Sequence, residues 1–319
     1  MYRNKIIALV AMAFNEEKLI GKTLASVPDL VDKVYVVDDF SPDNQNEVIE
    51  SYMKNDDRIV LLKHEKNMGP GQTIITGYIQ SSKDGNDITV VTGGDFQMPL
   101  DEIPNLLDPV IDGKADYAKG NRFMPSVLKD TLEKMPKTRL IPNWIITALA
   151  KFCSGYYKIA DFVDGFTAIT KTAIDTIDWE KAWKGYGYPM DFLIRMNGYG
   201  FKTVDVPRTA IYLKGERQSQ INGIKYFFKV TPMLIRNFFW RINYRYFYLD
   251  FHPLVLFYYL SFVLLLGGVF GSCYLLLKQF YWYLNVSGPQ AILCSLLLIM
   301  GTQFLLFAMF FDMEEGKNN

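Results

Sequence analysis

Short apolar segments alternate with amphipathic segments over about the first 210 residues. Four segments rich in Val and Ile predict buried strands: Lys5–Ala13, Lys33–Asp38, Arg58–Lys63 and Ile88–Thr92. A fifth strand is expected at Asp116–Lys119. The first three intervening amphipathic segments predict helices: Glu16–Ser26, Asn44–Lys54 and Gly71–Ser82. Because single helices between successive strands imply right-handed crossovers, this pattern predicts an α/β fold with a mostly parallel sheet.

Polar residues close the predicted strands. The first strand runs into Asn15-Glu16-Glu17, the second into Asp38-Asp39, the fourth into Gly93-Gly94-Asp95 and the fifth into Gly120-Asn121-Arg122. Ligands of parallel sheets bind beyond the carboxyl ends of the strands. Asp43 and Asp101 are expected to cap the helices that follow them, but capping explains Asp38-Asp39 and Asp95 less well. Several carboxylates along one edge would repel one another unless a cation or donor groups lay between them, so a ligand site is expected there.

The last quarter of the chain is much more apolar. Leu254–Leu277 has no charged residue, and as a helix it is long enough to cross a bilayer core of ~30 Å. Ala291–Phe311 has the same property, and the connector Lys278–Pro289 contains Tyr281-Trp282-Tyr283, which is typical of an interfacial aromatic belt. We therefore expect a two-helix membrane hairpin, in which Gly267, Gly268 and Gly271 would permit close helix contact.

A basic, aromatic segment, Ile224–Asp250, precedes the hairpin. Its cations are Lys225, Lys229, Arg236, Arg241 and Arg245. The dipeptide Thr231-Pro232 predicts the start of a second helix, so we expect two helices lying along the headgroup layer. Since the hairpin connector carries only Lys278, the positive-inside rule predicts a cytoplasmic catalytic domain and cytoplasmic termini. We therefore expect a catalytic domain at residues 1–220, interfacial helices at 221–250, and the two-helix membrane hairpin with a short cytoplasmic tail at 251–319.

Composition narrows the possible functions. The 34 basic and 34 acidic residues cancel, so no global field indicates a nucleic-acid partner. Cys153, Cys273 and Cys294 lack the paired spacing of a zinc site or disulfide scaffold. The two histidines, His64 and His252, are far apart in sequence and are expected to be incidental.

Several motifs resemble family 2 glycosyltransferases with the GT-A fold. They are Met12–Glu17, Val36–Asp43, Asn67–Gly69, Gly94–Pro99, Lys119–Arg122, Asp161–Ala168, Tyr188–Asp191 and Gly215–Arg217. Their order and spacing most resemble those of polyprenyl-phosphate sugar synthases, over roughly residues 5–225. The resemblance implies an inverting enzyme that moves a hexose from a UDP- or GDP-sugar to a polyprenyl phosphate at a bilayer. It also implies a homo-oligomer, a tetramer in related enzymes.

The resemblance also implies roles for individual residues. The nucleoside pocket would be formed by Ala13, Glu16, Asp38, Asp39, Asn67 and Gly94, and the catalytic residues would be Asp95, Arg122 and Asp191. Asp95 and Gln97 would hold Mg²⁺ or Mn²⁺ on the diphosphate. Because Gly93 stands where the family usually has a first aspartate, weaker metal binding is expected.

A lipid-phosphate acceptor would need cations to position it, and no general base to deprotonate it. Arg122 is the first candidate, followed by Arg139, Lys214 and Arg217. Asp191 could be a base or could orient the sugar. Thr167 occupies a position where mannose-transferring relatives often have arginine, which argues against mannose.

Two alternatives remain open from the sequence. An anchored transferase could use a saccharide, a protein or a diacylglycerol as its acceptor. A non-catalytic scaffold with a transferase fold would account for the missing aspartate at Gly93.

Overall fold

The computed structural model describes residues 1–134, 140–211 and 223–316. Two compact units are present, Met1–Phe238 and Phe239–Asn318. The first unit contains a seven-stranded sheet with the order β3-β2-β1-β4-β6-β5-β7. The strands are β1 (Ile7–Ala13), β2 (Lys33–Asp38), β3 (Ile59–Lys63), β4 (Ile88–Gly93), β5 (Tyr117–Asn121), β6 (Thr167–Thr170) and β7 (Thr203–Pro207).

Most strand pairs in this sheet are parallel. Strand β6 is the exception, because it runs antiparallel to both of its neighbours, β4 and β5. Strand β1 lies between β2 and β4, and its residues from Ile7 to Ala11 are all 0% exposed. Helices therefore cover both faces of the sheet there, and the predicted α/β fold with a mostly parallel sheet is confirmed.

Helices connect the strands of the first unit. They are α1 (Ile20–Ala25), α2 (Gln45–Met53), α3 (Pro70–Lys83), α4 (Ile103–Ile111), α5 (Leu128–Lys134), α6 (Leu140–Ser154), α7 (Lys171–Thr176) and α8 (Tyr188–Gly198). Each of the three predicted helices is present, although α1 begins at Ile20 rather than Glu16. All five predicted strands are also present, with ends shifted by at most two residues.

Helix α9 (Gly223–Asn243) is continuous, and the predicted break at Thr231-Pro232 is wrong. A proline inside a helix removes one hydrogen bond and costs ~3 kcal/mol. Here the buried side of the helix continues across the proline, with Val230 before it and Leu234 after it, both 0% exposed. Because packing on both sides of Pro232 outweighs the lost bond, the helix does not end there.

The second unit contains α10 (Leu254–Phe280) and α11 (Gly288–Glu315), preceded by a π-helical segment, Tyr244–Leu249. Both helices have a mean hydropathy of 2.2 and are long enough to cross a membrane, as expected. They pack closely at small residues: a Cβ on Gly268 would lie 2.8 Å from Leu298 Cδ2, and one on Gly271 would lie 2.7 Å from Cys294 Sγ. These two glycines therefore serve contact within the hairpin.

Arg241 does not lie in a headgroup-facing position, contrary to the expectation from sequence. Its guanidinium donates from Nη1 and Nη2 to the two carboxylate oxygens of Asp312, at 2.8 and 2.7 Å. The hydroxyls of Tyr246 and Tyr258 donate to the same carboxylate, and both charged side chains are 0% exposed. The polar cluster Arg241–Asp312–Tyr246–Tyr258 is thus fully internal to the second unit.

Candidate active site

The carboxyl ends of strands β1, β2 and β4 lie side by side in the sheet. Ala13 pairs with Asp38 in the register of β1 and β2, and Met12 pairs with Gly93 in that of β1 and β4. The Asp39 amide donates to the Ala13 carbonyl at 3.0 Å. The loops that follow these three strands therefore lie along one edge of the sheet. This is the edge at which the resemblance implies binding of the nucleoside and the diphosphate.

Asp38 organises the loop after β2. Its Oδ1 accepts hydrogen bonds from the Ser41 amide at 3.0 Å and from Gln45 Nε2 at 2.6 Å, and its Oδ2 accepts one from Asn46 at 3.0 Å. Gln45 in turn accepts the Glu16 amide at 3.0 Å. Asp38 therefore holds the loops after β1 and β2 together.

Asp39 is held by residues that follow strand β3. The amides of Met68 and Gly69 each donate to its carboxylate at 2.8 Å, and Asn67 Nδ2 donates to its backbone carbonyl at 3.2 Å. His64 Nδ1 lies 2.7 Å from Asp39 Oδ1, and His64 Nε2 lies 2.9 Å from Thr76 Oγ1. His64 is therefore not incidental. Sequence reasoning missed it because its partners, Asp39 and Thr76, are 25 and 12 residues away in the chain.

The turn after β4 can only be built with glycine at position 94. The Gly94 amide donates to the Met12 carbonyl at 2.7 Å, and a Cβ at this position would lie 2.8 Å from that oxygen. Thr23 Oγ1 of α1 donates to the Gly94 carbonyl and accepts the Phe96 amide, both at 3.1 Å. The turn that presents Asp95 is thus fixed to both β1 and α1.

Left-handed backbone conformations are concentrated at this edge. Asn15, Phe40 and Phe96, which follow β1, β2 and β4 respectively, have φ values of 58°, 62° and 52°. Such values are uncommon for residues other than glycine, and they are strained for bulky ones. Strain of this kind is often stored at functional sites, which agrees with a ligand site at these three loops.

Asp95 turns back over Gly93. A Cβ on Gly93 would lie 2.7 Å from Asp95 Oδ1, so the Asp95 carboxylate occupies space that a larger residue at 93 would need. Asp95 Oδ1 also accepts the Gln97 amide at 3.3 Å. Burial raises the pKa of the Asp95 carboxyl, while the Gln97 amide and Arg208 oppose this rise only in part. Within the described ranges, no group of three or more His, Cys, Asp or Glu side chains could hold a metal.

Arg122, at the end of β5, binds two carboxylates. It donates from Nε and Nη2 to Asp161, at 2.7 and 3.0 Å, and its Nε lies 3.2 Å from Asp164 Oδ2. Arg208 also donates to Asp164 Oδ2, from Nε at 3.0 Å, and its Nη1 donates to the Gln97 carbonyl at 3.0 Å. Burial alone would raise the pKa of Asp164, but Arg208, Arg122 and Lys119 outweigh it and hold that pKa at about 2.

Asp191 is at the first turn of α8 and its side chain is 0% exposed. Its Oδ2 accepts the Trp183 amide at 2.7 Å and Arg195 Nε at 3.0 Å, and its Oδ1 accepts Asn237 Nδ2. Burial raises the pKa of Asp191, and Arg195 and the Trp183 amide partly counteract it. The remaining acceptor-phosphate candidates, Arg139, Lys214 and Arg217, lie outside the described residues.

The sequence model of glycosyl transferase family 2 matches residues 9–178. This segment begins within β1, extends past β6 and includes every strand end described above. The chain belongs to glycosyl transferase family 2. Like the rest of that family, it is a glycosyltransferase.

Relatives of known activity agree with this assignment. The chain is 27% identical, over 72% of its length and 96% of the relative's, to a UDP-N-acetylglucosamine–dolichyl-phosphate N-acetylglucosaminyltransferase of Methanococcus voltae. It is 26% identical, over 64% and 83%, to an undecaprenyl-phosphate mannosyltransferase of Micrococcus luteus.

A solved structure supports the fold. Glucosyl-3-phosphoglycerate synthase of Mycobacterium tuberculosis, in complex with Mn²⁺, UDP and glucosyl-3-phosphoglycerate, matches with a TM-score of 0.53 at 17% identity, over 75% of this chain and 80% of that one. At this identity, the match shows the GT-A fold and nothing finer.

Proposed function

We propose that the protein transfers a hexose from a UDP- or GDP-sugar to a polyprenyl phosphate at a membrane surface, with inversion at the anomeric carbon. One observation carries this proposal: the same chain contains both the sheet edge formed by the loops after β1, β2 and β4 and two helices long enough to cross a membrane. A transferase attached to a bilayer in this way has ready access to a lipid acceptor. The names of the relatives above support the same acceptor class.

The state of Asp191 favours a phosphate acceptor over a hydroxyl acceptor. A hydroxyl must lose its proton during attack and so requires a general base. The side chain of Asp191 is 0% exposed and already accepts three hydrogen bonds, so it is poorly placed to take a proton from substrate. A phosphate monoester is already anionic at neutral pH and needs no base. Its oxygen attacks the anomeric carbon while the bond from that carbon to the nucleoside diphosphate breaks.

In the proposed donor site, Ala13, Glu16 and Asp39 contact the nucleoside, with Asn67 and Gly94 shaping the pocket. Asp95, with Gln97, would hold Mg²⁺ or Mn²⁺, which would screen the diphosphate charge. These oxygen ligands suit a hard divalent ion, and Mg²⁺ is often bound by one or two carboxylates together with phosphates and waters. Because Gly93 supplies no carboxylate, the ion would depend mainly on Asp95 and on the donor itself.

Arg122 is the proposed cation of the acceptor side. Asp161 and Asp164 fix the orientation of its guanidinium, and its side chain remains 17% exposed. A guanidinium held in this way is pre-organised for an anionic ligand. Arg139, Lys214 and Arg217 are proposed as further contacts.

We propose that residues 1–220 form the cytoplasmic catalytic domain, that 221–250 lie along the headgroups, and that 251–319 form the hairpin. The exposed side of α9 agrees with this, because Phe228 and Ile235 are 71% and 46% exposed beside exposed Lys225 and Lys229. A homo-oligomer, such as a tetramer, is part of the same proposal. A reporter fused after Asn319 should be cytoplasmic, and an extracytoplasmic reporter would overturn this topology.

The activity is tested with membranes containing the full chain. Radiolabelled UDP-glucose, UDP-N-acetylglucosamine and GDP-mannose are supplied with and without added undecaprenyl phosphate, and label is counted in the organic phase. We expect lipid-soluble label from one donor, dependent on the added lipid and lost in Asp95→Ala. Label in polymer, protein or diacylglycerol would refute the acceptor, and an absence of nucleotide binding by calorimetry would support a scaffold.

A further inference from the structure

Loop 182–187, between the short helix Trp179–Lys181 and α8, contacts two elements of the first unit. On one side it contacts the start of α3: the Gly71 amide donates to the Lys184 carbonyl at 2.7 Å, and a Cβ on Gly69 would lie 2.7 Å from the same oxygen. On the other side it contacts α9, because a Cβ on Gly187 would lie 2.8 Å from Val230 Cγ1. The loop is therefore packed between α3 and α9.

Asp191 and Asn237 hold this loop in place. Asp191 Oδ2 accepts the Trp183 amide at 2.7 Å, and Asn237 Nδ2 of α9 donates to Asp191 Oδ1. Asn237 is 4% exposed, and its Oδ1 accepts Arg236 Nε at 3.2 Å. Within the loop, the Trp183 indole donates to the Tyr186 carbonyl at 2.8 Å. These bonds fix the position of the Lys184 carbonyl.

The Lys184 carbonyl in turn positions the donor side of the site. Gly69 has a φ of 89° and no room for a side chain, so the turn from Gly69 to Gly71 rests directly on the loop backbone. The Gly69 amide points to Asp39 Oδ2 at 2.8 Å. A shift of the loop would therefore move one of the donors that hold the Asp39 carboxylate. Reactive geometry is sensitive to shifts of about 1 Å.

We propose that Asn237 and Asp191 are positioning residues for the nucleotide-sugar, which act on Asp39 through loop 182–187 and the Gly69–Gly71 turn. The inference rests on the proposed donor site. It assigns Asp191 to donor binding rather than to proton transfer. Helix α9 therefore has two different sides. Its exposed side is basic and apolar, and its buried side contacts Asp191 through Asn237 and so acts on the donor site.

The test is an exchange of the two side chains in the full-length protein. Asn237→Asp places two carboxylates against each other, and we expect the Kd for UDP or GDP and the KM for the sugar donor to rise about tenfold. The value of kcat and the KM for undecaprenyl phosphate should stay within about twofold. Adding Asp191→Asn to this variant restores a donor–acceptor pair, because the new amide can donate to the carboxylate at 237, and donor affinity should return.

A matched control is Ile235→Ala, on the exposed side of α9, which should leave donor KM unchanged. If Asp191 is instead a general base, the double variant will recover donor binding but will lose kcat by about 100-fold or more, and the inference is wrong. Equal donor affinity of Asn237→Asp and wild type would also overturn it. If Asp191 proves to be a base, the argument from Asp191 for a phosphate acceptor is lost. The proposed function itself fails only if the wild type transfers no sugar to the lipid.

Discussion

His64 and Asp39 are 25 residues apart in sequence, and the fold brings their side chains to 2.7 Å. The Asp39 carboxylate accepts two backbone amides in addition to His64. Since a hydrogen bond to a charged group is worth about 1.5 kcal/mol, we expect His64→Phe to weaken binding of UDP or GDP by about tenfold. Calorimetry measures this directly. His252→Phe, which removes the other histidine, should bind as the wild type does; equal affinity of both variants would rule out a role for His64.

Phe40 follows Asp39 and has a left-handed backbone with a φ of 62° although its side chain is 58% exposed. A residue with a Cβ pays ~1–2 kcal/mol for this conformation, and glycine does not. Because little burial is lost, Phe40→Gly should raise the Tm by about 3 °C. Phe14→Gly serves as the control, since Phe14 is also exposed but has no positive φ, and its Tm should not rise. A lower Tm for Phe40→Gly would mean that the ring stabilises the fold.

Local residue patterns predicted one part of the site and missed another. Asp38 ends strand β2, and Asp39, Gly94 and Asp95 follow strands with clear apolar runs. Their positions along the sheet edge could therefore be predicted. The place of Arg208 in the site could not be predicted, although it contacts both Asp164 and Gln97. It follows β7, a strand whose residues are mostly half-buried and which therefore lacks an apolar run.

At the scale of elements, the central parallel strands were predictable and the added strands were not. Strand β6 has only four residues and two threonines, which gives too little periodicity to recognise. Helix α9 shows the opposite error, because the local signal of Thr231-Pro232 was strong but packing outweighed it. Local propensity decides an element only where tertiary contacts do not compete with it.

The pair of strands β5 and β7 buries a carboxylate that makes stability depend on pH. Asp205 Oδ2 accepts Asn121 Nδ2 at 2.7 Å and the Ala160 amide at 2.8 Å, whereas Oδ1 has no partner among the described residues. Burial raises the pKa of Asp205 to about 7, although Lys119 and the two hydrogen bonds oppose the rise. The folded state therefore binds a proton more tightly than the unfolded state.

A raised carboxyl pKa stabilises the fold fully below about pH 4, and this contribution is lost as the pH rises through about 7. We expect Asp205→Asn, which mimics the protonated form, to unfold at a temperature roughly 3–6 °C above wild type at pH 8. The difference should shrink with falling pH and vanish near pH 4. Thermal unfolding from pH 4 to pH 8 measures it. A difference that is constant with pH, or that grows on acidification, would contradict the raised pKa. Asp116→Asn provides a comparison, because Asp116 is only half-buried and its Oδ2 accepts the Lys202 amide at 2.9 Å.

At the scale of the whole molecule, the two membrane-length helices could be predicted from apolar length alone. The buried ion pair between Arg241 and Asp312 inside the second unit could not be predicted, because the two residues are 71 residues apart in sequence. The sequence favoured an arginine exposed to headgroups, and the fold instead buries it against the one acidic side chain that α11 places inside the unit. Buried charged side chains are stable only when they are paired and fully hydrogen-bonded.

Removing one member of this pair should therefore be costly. In Asp312→Asn, the Arg241 guanidinium would remain buried without its countercharge, and Tyr246 and Tyr258 would share a weaker acceptor. Loss of one partner of a buried ion pair typically costs 3–5 kcal/mol, so we expect a Tm lower by about 10 °C in detergent. Glu314→Gln, two residues away and exposed, removes the same charge and should change the Tm by less than about 2 °C. Equal Tm values for the two variants would show that the Arg241–Asp312 pair does not stabilise the second unit.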